Sequence, residues 1–388
     1  MTKKLTVIGR GTAGALTASY FLKHMDDCEI EWRYDPNIPV QSVGEGSTPQ
    51  LLSHLYNTVN FNYLNRDVVN CTSKVGIYKS GWGKGGDFMH QFFPPMIGLH
   101  FNAVKLQDFI YDQIKDRVKI VETNVSQGSQ IDSDFIVDCS GAPRDFDGFY
   151  RSEYIPVNSA YVTQCEWDKP TFDYTLTIAR PWGWVFGVPL TNRCSIGYIY
   201  NEDITDLDTI KEDVKEVFAE YNLTPSDKTN ALSFNNYYRM QNFTDRVFYN
   251  GNASFFLEPM EATSIATMDF NNIHGLGVFQ GSRSADNANA LYRRWMQRIE
   301  SIIMLHYFAG SKYKTEFWDF ARQKAETCIK VTAQTDETFK HIIDYSVAAK
   351  DRNMCDPNVL WGYWESSSFC ENLYGMGIEK ELQEFISC

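Results

Sequence analysis

The chain of 388 residues is long enough for roughly two or three domains at about 150 residues each. Hydrophobic residues make up 43% and charged residues 22% of it, a balance typical of folded globular proteins, which argues against a disordered chain. The 36 Lys and Arg against 49 Asp and Glu give a net charge of −13, which disfavours a surface adapted as a whole to nucleic acid or to an anionic membrane.

The N-terminal segment predicts a strand, a glycine turn, a helix and a second strand. Leu5–Ile8 and Glu29–Tyr34 are strand-like, and Ala15–His24 has helical spacing. The turn between the first strand and the helix has the spacing Gly-x-Gly-x-x-Gly, and in this context it is a dinucleotide-binding fingerprint. The predicted cofactor contacts are therefore Gly9, Gly11, Thr12, Ala13 and Gly14 at the pyrophosphate, with Asp35 at the ribose and Asp27 or Glu31 as weaker alternatives.

Two later elements favour FAD over NAD as the dinucleotide. A glycine-acid element, SVGEGSTP (Ser42–Pro49), follows the second strand directly, and FIVDCSG (Phe135–Gly141) returns roughly a hundred residues later. An NAD enzyme would usually complete its parallel sheet sooner. From these elements Gly44, Glu45, Ser140 and Gly141 are further predicted cofactor contacts.

The rest of the chain predicts an α/β fold in which an FAD-binding Rossmann-like (GR2-type) domain is interleaved with a mainly antiparallel sheet and followed by a helical C-terminal part. We expect a glycine-rich loop over 80–90, an insertion of antiparallel strands over about 150–245, an FAD-binding domain over 1–275 and a helical region over 276–388. The remaining predicted helices are Asn102–Arg117, one near Asp206–Tyr221, Ala285–Ala309, Thr315–Ala333 and Asp336–Ala349, and the remaining predicted strands are Lys119–Glu122 and Phe135–Asp138.

Other classes of protein find little support in the sequence. The most apolar run, Ile302–Phe308, is interrupted by His306 and falls far short of the about 18 residues that a membrane span needs. Nine scattered cysteines without CxxC spacing indicate reduced thiols in a cytoplasmic protein, and seven histidines without ligand spacing give no metal site. The N-terminus leads directly into a strand-like run, so we expect no signal peptide.

Several further segments together resemble the flavin-dependent halogenases of the tryptophan-halogenase type. VGEGSTP (Val43–Pro49) resembles the segment of that family that lies over the flavin, and GWVFGVP (Gly183–Pro189) resembles its GWxWxIP strand. EPMEATSI (Glu258–Ile265) resembles its segment with a catalytic glutamate, and LHY (Leu305–Tyr307) with Phe317-Trp318 resembles its C-terminal helices. In size the chain is similar to compact halogenases encoded by phages of marine cyanobacteria, which would place it in the cytoplasm of an infected host.

The resemblance implies that reduced FAD, supplied by a separate flavin reductase, and O2 convert a halide ion into hypohalous acid, which then halogenates a small aromatic substrate. Lys79 would hold the hypohalous acid or form a haloamine, and Glu261 would orient the oxidant or accept the ring proton. The backbone amides of Thr263 and Ser264 would bind the halide. Ala262 and Ser264 replace the serine and glycine of the family, from which we expect bromide or iodide to be preferred to chloride.

Aromatic residues are the remaining candidates. Trp184 and Phe186 are expected to form a barrier between flavin and substrate, and Phe186 stands in place of the family's second tryptophan. The substrate-side candidates, chosen by location only, are Trp318, Trp361, Tyr363 and Trp364. The resemblance implies that the helical region over 276–388 is the substrate cap. Because this region is shorter than in the usual bacterial members of the family, we expect tolerance of several electron-rich arenes. His100, His274 and His306 are interpreted as structural histidines, and a homo-oligomer is left open.

Two alternatives remain at this point. An NAD(P)H-dependent flavin monooxygenase would share the FAD fold, but it has no use for Lys79 together with Glu261. A non-catalytic FAD-binding protein would gain nothing from a buried lysine, whose desolvation costs free energy.

Overall fold

In the structure, a computed structural model, residues 2–39, 45–124 and 131–387 are described. Over these ranges, no helix combines the length and the hydropathy needed to cross a bilayer. The chain divides into two compact units, each built from three separate segments. The first unit comprises Met1–Ser73, Ile97–Arg151 and Asn236–Arg294, and the second comprises Lys74–Met96, Ser152–Asn235 and Trp295–Cys388.

Helices and strands both occur in each of the two units. The helices, in chain order, are α1 (Thr12–His24), α2 (Gln50–Val59), α3 (Ala103–Ile114), α4 (Leu207–Glu220), α5 (Thr263–Phe279), α6 (Ala285–Ala309), α7 (Glu316–Thr335), α8 (Glu337–Ala349), α9 (Ser366–Met376) and α10 (Glu379–Phe385). The strands are β1 (Lys3–Ile8), β2 (Cys28–Tyr34), β3 (Thr72–Lys74), β4 (Gly76–Ser80), β5 (Phe88–Gln91), β6 (Gly98–His100), β7 (Lys119–Glu122), β8 (Phe135–Asp138), β9 (Phe149–Arg151), β10 (Ser159–Glu166), β11 (Thr175–Arg180), β12 (Gly183–Pro189), β13 (Arg193–Tyr200), β14 (Thr224–Ser233), β15 (Tyr237–Arg239), β16 (Val247–Tyr249), β17 (Phe255–Phe256), β18 (Leu360–Trp361) and β19 (Trp364–Glu365).

The first unit is built on a parallel sheet with the strand order β16-β8-β1-β2-β7. Strand β1 lies at its centre, and Leu5 and Val7 are fully buried there. The chain leaves β1 through the glycine turn and enters α1, which returns it to β2 beside β1. This strand–turn–helix–strand unit confirms the sequence prediction, and it brings the carboxyl ends of β1, β2 and β8 to one edge of the sheet.

The second unit is built on a seven-stranded sheet with the strand order β14-β10-β13-β12-β11-β4-β5. The β4–β11 pair is parallel, and the other neighbouring pairs are antiparallel. One face of this sheet packs against α4, where Val185 and Tyr198 meet Val214 and Val217. Because side chains alternate along a strand, Trp184 and Phe186 lie on the opposite face.

The structure also contains elements that the sequence analysis did not predict. The region 80–90 was expected to be a loop, but Phe88–Gln91 forms a short strand paired with β4. Helix α2 was missed although Leu51, Leu55 and Val59 are buried at helical spacing. Helix α9 carries a serine-rich, weakly periodic sequence, so its burial comes from tertiary packing and cannot be recognised from hydrophobic spacing.

The predicted mixed α/β fold class is confirmed, with a parallel Rossmann-like sheet, an antiparallel sheet over much of 150–245 and helices from Ala285 onward. The functional division into an FAD-binding part over 1–275 and a substrate cap over 276–388 stays a prediction.

Candidate active site

The glycine turn between β1 and α1 has two positions where backbone contacts leave no room for a side chain. Gly9 has φ +99°, and a Cβ atom there would lie 2.3 Å from the carbonyl oxygen of Cys139. A Cβ atom at Gly14 would lie 2.0 Å from the carbonyl oxygen of Gly9. Gly9 therefore permits the tight turn and Gly14 the close packing of α1 on it, as the fingerprint requires.

Gly11 differs from both, because a Cβ atom there would meet nothing within 4 Å. It is the N-cap of α1, with φ −64° and ψ −178°, and no side chain caps the helix. The first amides of a helix have no intrahelical carbonyl acceptor, so Thr12 and Ala13 direct N–H groups and the positive end of the helix dipole toward this open space. The residues present thus fit the pyrophosphate of a dinucleotide such as FAD.

The other predicted cofactor residues of the first unit occupy varied environments. Asp35 directly follows β2, as predicted, and its carboxylate accepts hydrogen bonds from the Asn37 amide at 2.9 Å and the Asn124 side chain at 2.7 Å. These contacts lower the pKa of Asp35, the backbone amide of Asn37 contributing most. Glu31, one of the two alternatives, is fully buried and paired with Lys4 and Lys119, both at 3.1 Å, which gives it a structural role.

Glu45 is buried, and its carboxylate accepts a long hydrogen bond of 3.4 Å from the amide of Ala103. Ser140 follows β8, where its amide donates to Asp138 at 2.9 Å, and Gly141 has φ +105° with open space around its Cα. Gly44 lies outside the described residues.

Arg10 is a residue of the glycine turn that sequence reasoning missed. Its guanidinium lies over the rings of Tyr34 and Tyr111, at 5.4 Å and 4.6 Å from their centroids, and pairs with Asp108 at 2.9 Å. These contacts fix a positive charge directly beside Gly11 in the sequence. The only sequence signal was its position between the first two glycines.

Glu261 lies on a strained turn that leads into α5. It is 8% exposed, with φ 65°, and Ala262 follows with φ 52°. Left-handed backbone costs roughly 1–2 kcal/mol for each residue that has a Cβ, and two consecutive instances are unusual. Thr263 is buried and begins α5, so the predicted halide-binding amides of Thr263 and Ser264 do belong to the first turn of a helix of 17 residues.

Buried amides hold α5 in place within the first unit. Asn250 donates to the Thr17 hydroxyl and to the side chain of Asn272, both at 3.1 Å, and Asn271 donates to the Asn250 oxygen at 3.2 Å. Because these side chains are buried, losing any one bond would leave polar groups unsatisfied. The network therefore fixes the helix whose first turn follows Glu261.

Lys79 is a fully buried candidate of the second unit. It lies in β4 with 0% exposure, opposite Thr177 of β11, which in turn pairs with Phe186 of β12. Directly paired residues share a sheet face, so these three side chains form one row across the sheet. The ammonium donates to His306 Nε2 at 2.5 Å and to Asn372 Oδ1 at 2.6 Å.

His306, which the sequence analysis interpreted as a structural histidine, is hydrogen-bonded to Lys79. Its other ring nitrogen, Nδ1, lies 2.8 Å from the carbonyl oxygen of Ile302. A carbonyl oxygen only accepts, so Nδ1 carries a proton, and a neutral His306 presents the lone pair of Nε2 to Lys79. The Leu-His-Tyr sequence was the signal that could have identified it.

An aromatic cluster surrounds this part of the second unit. Trp82 contacts the rings of Trp184, His306 and Trp318 at centroid distances of 6.4 Å, 5.7 Å and 5.5 Å. Trp184 donates to the Tyr307 hydroxyl at 3.1 Å, and Trp318 donates to the carbonyl oxygen of Arg180 at 2.8 Å. Trp184 and Trp318 are thus core residues with satisfied N–H groups.

Phe186 is partly exposed and covers Gly197 of β13, where a Cβ atom would lie 2.1 Å from its ring. Of the other aromatic candidates, Trp361 is fully buried and Tyr363 is 44% exposed. Within residues 2–39, 45–124 and 131–387, no group of three or more His, Cys, Asp or Glu side chains is arranged to hold a metal ion.

The fold is that of flavin-dependent halogenases of known structure. The tryptophan 6-halogenase SttH of Streptomyces toxytricini superposes with a TM-score of 0.78 at 18% identity, covering 96% of this chain and 90% of the other. Xcc4156, a flavin-dependent halogenase from Xanthomonas campestris, gives a TM-score of 0.79 at 19% identity, covering 100% and 94%.

The sequence comparison gives the family itself. The tryptophan halogenase family model matches residues 4–118 and 98–384, and the chain therefore belongs to the tryptophan halogenase family. Among curated relatives, the tryptophan 7-halogenase RebH of Lentzea aerocolonigenes is 22% identical over 81% of this chain and 78% of its own length. The protein is accordingly an enzyme that halogenates, and its family implies the use of FAD and a halide.

Proposed function

We propose that this enzyme transfers a halogen from hypohalous acid to an electron-rich aromatic ring, with Lys79 and Glu261 carrying the transfer. Bound reduced FAD, together with O2, supplies the oxidising power that converts halide to hypohalous acid. The observation that carries the proposal is a lysine with 0% exposure in the second unit, hydrogen-bonded to His306 and Asn372. Burying an ammonium costs several kcal/mol, which favours a role in the reaction over a structural one.

The halogen transfer is an electrophilic aromatic substitution. A pair of ring electrons forms the carbon–halogen bond while the halogen–oxygen bond breaks and its electrons stay on oxygen. The Lys79 ammonium donates a hydrogen bond and then its proton to this oxygen, which leaves as water. The ring then loses its proton to the Glu261 carboxylate, which restores aromaticity.

Support for Glu261 comes from its burial at 8% exposure and from its strained backbone. Strained turns of this kind are concentrated at functional sites, where the surrounding structure holds them in place. A flexible surface carboxylate would relax to ordinary helical backbone angles.

We further propose that halide binds at the amides of Thr263 and Ser264 and that bromide or iodide is preferred to chloride. The left-handed turn followed by a helix N-terminus directs successive N–H groups to one side, as in known anion sites. Ala262 lacks the hydroxyl of the family's serine, which makes the pocket beside Glu261 less polar. Ser264 places a side chain where the family has glycine, which reshapes the halide seat. In a competition at equal concentrations, more chlorinated than brominated product would contradict this preference.

The Trp184 and Phe186 face of β12 would serve as the barrier, with Trp318 supporting it from the core. Several phenols, indoles and other N-heterocycles should be accepted, and a panel in which only free tryptophan reacts would contradict this. Reduced flavin would come from a separate reductase. The similarity in size to phage-encoded halogenases suggests a viral enzyme acting in the host cytoplasm.

The test combines the protein with FAD, a flavin reductase, NADH and one halide, and follows an arene panel by mass spectrometry. Lys79→Ala should keep FAD bound and abolish halogenation, Glu261→Gln should slow it strongly, and the exposed Lys340→Ala serves as the matched control. Oxygen added in place of halogen, or unaided oxidation of NAD(P)H, would indicate a monooxygenase. Full activity of Lys79→Ala would refute the role of the lysine.

A further inference from the structure

Three side chains from distant parts of the sequence converge on one nitrogen atom in the second unit. Lys79 Nζ lies 2.5 Å from His306 Nε2, 227 positions later, and 2.6 Å from Asn372 Oδ1, 293 positions later. The three residues belong to β4, α6 and α9 respectively, and all are at most 5% exposed. Two helices therefore contribute one acceptor each to the same ammonium.

Each acceptor is itself fixed by a backbone carbonyl. His306 Nδ1 donates to Ile302 at 2.8 Å, which leaves Nε2 as the acceptor. Asn372 Nδ2 donates to the carbonyl oxygen of Ser368 at 2.9 Å, which turns Oδ1 toward the lysine. Neither group carries a charge while His306 is neutral, so these two bonds hold the ammonium without neutralising it.

We propose that His306 and Asn372 are positioning residues that fix the Lys79 ammonium for the capture of hypohalous acid. This inference rests on the proposed function of Lys79. A lysine side chain has four rotatable carbon–carbon bonds and about 2 kcal/mol of rotamer entropy, so its nitrogen is poorly placed unless it is held. The hydrogen bonds to His306 and Asn372 restrict the position of this nitrogen.

The consequence of this positioning is coupling between oxidant production and product formation. Hypohalous acid is a small diffusible oxidant, and a displacement of the capturing group by about 1 Å can lower the transfer rate by about 10²-fold. Oxidant that is not captured escapes into solution. His306 and Asn372 thus determine the fraction of hypohalous acid that reaches the ring.

The variants distinguish the loss of a hydrogen-bond acceptor from a change in side-chain packing. His306→Phe keeps a ring against Trp82, which it meets edge-on at 5.7 Å, but removes the acceptor, whereas His306→Gln restores an acceptor oxygen. Asn372→Leu removes the second acceptor at similar volume, and Asn372→Asp retains it. The exposed His341→Phe on α8 is the matched control.

The measurement is the ratio of halogenated arene to hypohalous acid released, with a halogen-accepting β-diketone in solution trapping the released oxidant. We expect His306→Phe and Asn372→Leu to lower this ratio about tenfold in the folded enzyme and His306→Gln to recover most of it, with FAD binding unchanged. The thermal midpoint should fall in both acceptor-less variants, because each leaves a donor of the buried ammonium unsatisfied, so the ratio is measured where the variants are folded. A merely structural role would lower both products together with stability and leave the ratio unchanged.

The inference is wrong if folded Asn372→Leu has the wild-type ratio, or if His306→Gln loses as much as His306→Phe. Should His306→Phe fail to fold, the Asn372 pair decides the outcome alone. Lys79→Ala is measured in parallel: wild-type product from it refutes the proposed function, whereas loss of product in Lys79→Ala with wild-type ratios in the other variants refutes only the positioning roles.

Discussion

Replacing Gly11 by alanine separates cofactor binding from folding more cleanly than any other change in the glycine turn. The backbone angles of Gly11, φ −64° and ψ −178°, are accessible to alanine, and the added methyl group meets no protein atom within 4 Å. The apoprotein should therefore fold normally and keep its stability to within about 1 kcal/mol, because the lost conformational freedom of the unfolded chain is offset by the poorer N-cap that alanine makes for α1.

Binding of FAD, in contrast, should be weakened by Gly11→Ala. The methyl group would occupy the space in which we expect the pyrophosphate to approach the amides of Thr12 and Ala13. Losing two hydrogen bonds to a charged phosphate costs about 3–6 kcal/mol, which raises the dissociation constant about 10²–10⁴-fold. Titration of FAD into apoprotein, followed by the quenching of flavin fluorescence, measures this directly.

Thermal unfolding supplies the second readout and a matched control. FAD at 100 times its dissociation constant stabilises the wild-type protein by about 2.7 kcal/mol, and the same concentration should stabilise Gly11→Ala by at most about 0.4 kcal/mol. Gly14→Ala should instead destabilise the apoprotein by at least about 1–3 kcal/mol, since its Cβ would lie 2.0 Å from a backbone oxygen. Wild-type affinity of Gly11→Ala for FAD would refute this account of the glycine turn.

Three further predictions concern stability. Ala262→Gly should stabilise the protein by about 0.5–1 kcal/mol, since glycine adopts φ 52° without strain. As the control, Ala290→Gly on the exposed side of α6 should cost about 1 kcal/mol, and thermal denaturation compares the two variants. Burial raises the pKa of Glu300 from 4.5 to about 7, so the folded state binds the extra proton and the free energy of unfolding falls as the pH rises from about 5 to 8. Glu300→Gln should remove roughly 2–3 kcal/mol of this fall. Urea titrations in which the wild-type protein and Glu300→Gln lose the same free energy of unfolding between about pH 5 and pH 8 would contradict it. Gly197→Ala should cost about 1–3 kcal/mol because its methyl group would meet the ring of Phe186 at 2.1 Å, and adding Phe186→Leu should recover most of the loss in the same denaturation assay.

The contacts of the aromatic side chains are a feature that the sequence alone could not predict. Trp184 and Phe186 could be assigned to one strand from the sequence, and the structure confirms that strand as β12. What each aromatic ring contacts could not be predicted, because a buried ring at strand or helix spacing packs in the core far more often than it binds a ligand. Trp318 illustrates this, since its N–H is satisfied by the backbone of Arg180.

The sequence by itself determined the features that depend on neighbours along the chain. The glycine spacing from Gly9 to Gly14 specified the turn and the helix that follows, since its constraints involve backbone geometry over a few residues. Only the tertiary structure decided the surroundings of Lys79, because His306 and Asn372 reach it across 227 and 293 positions of chain. Such contacts depend on how sheets and helices pack, and hydrophobic periodicity specifies which face of an element is buried but not which polar atom will meet another there.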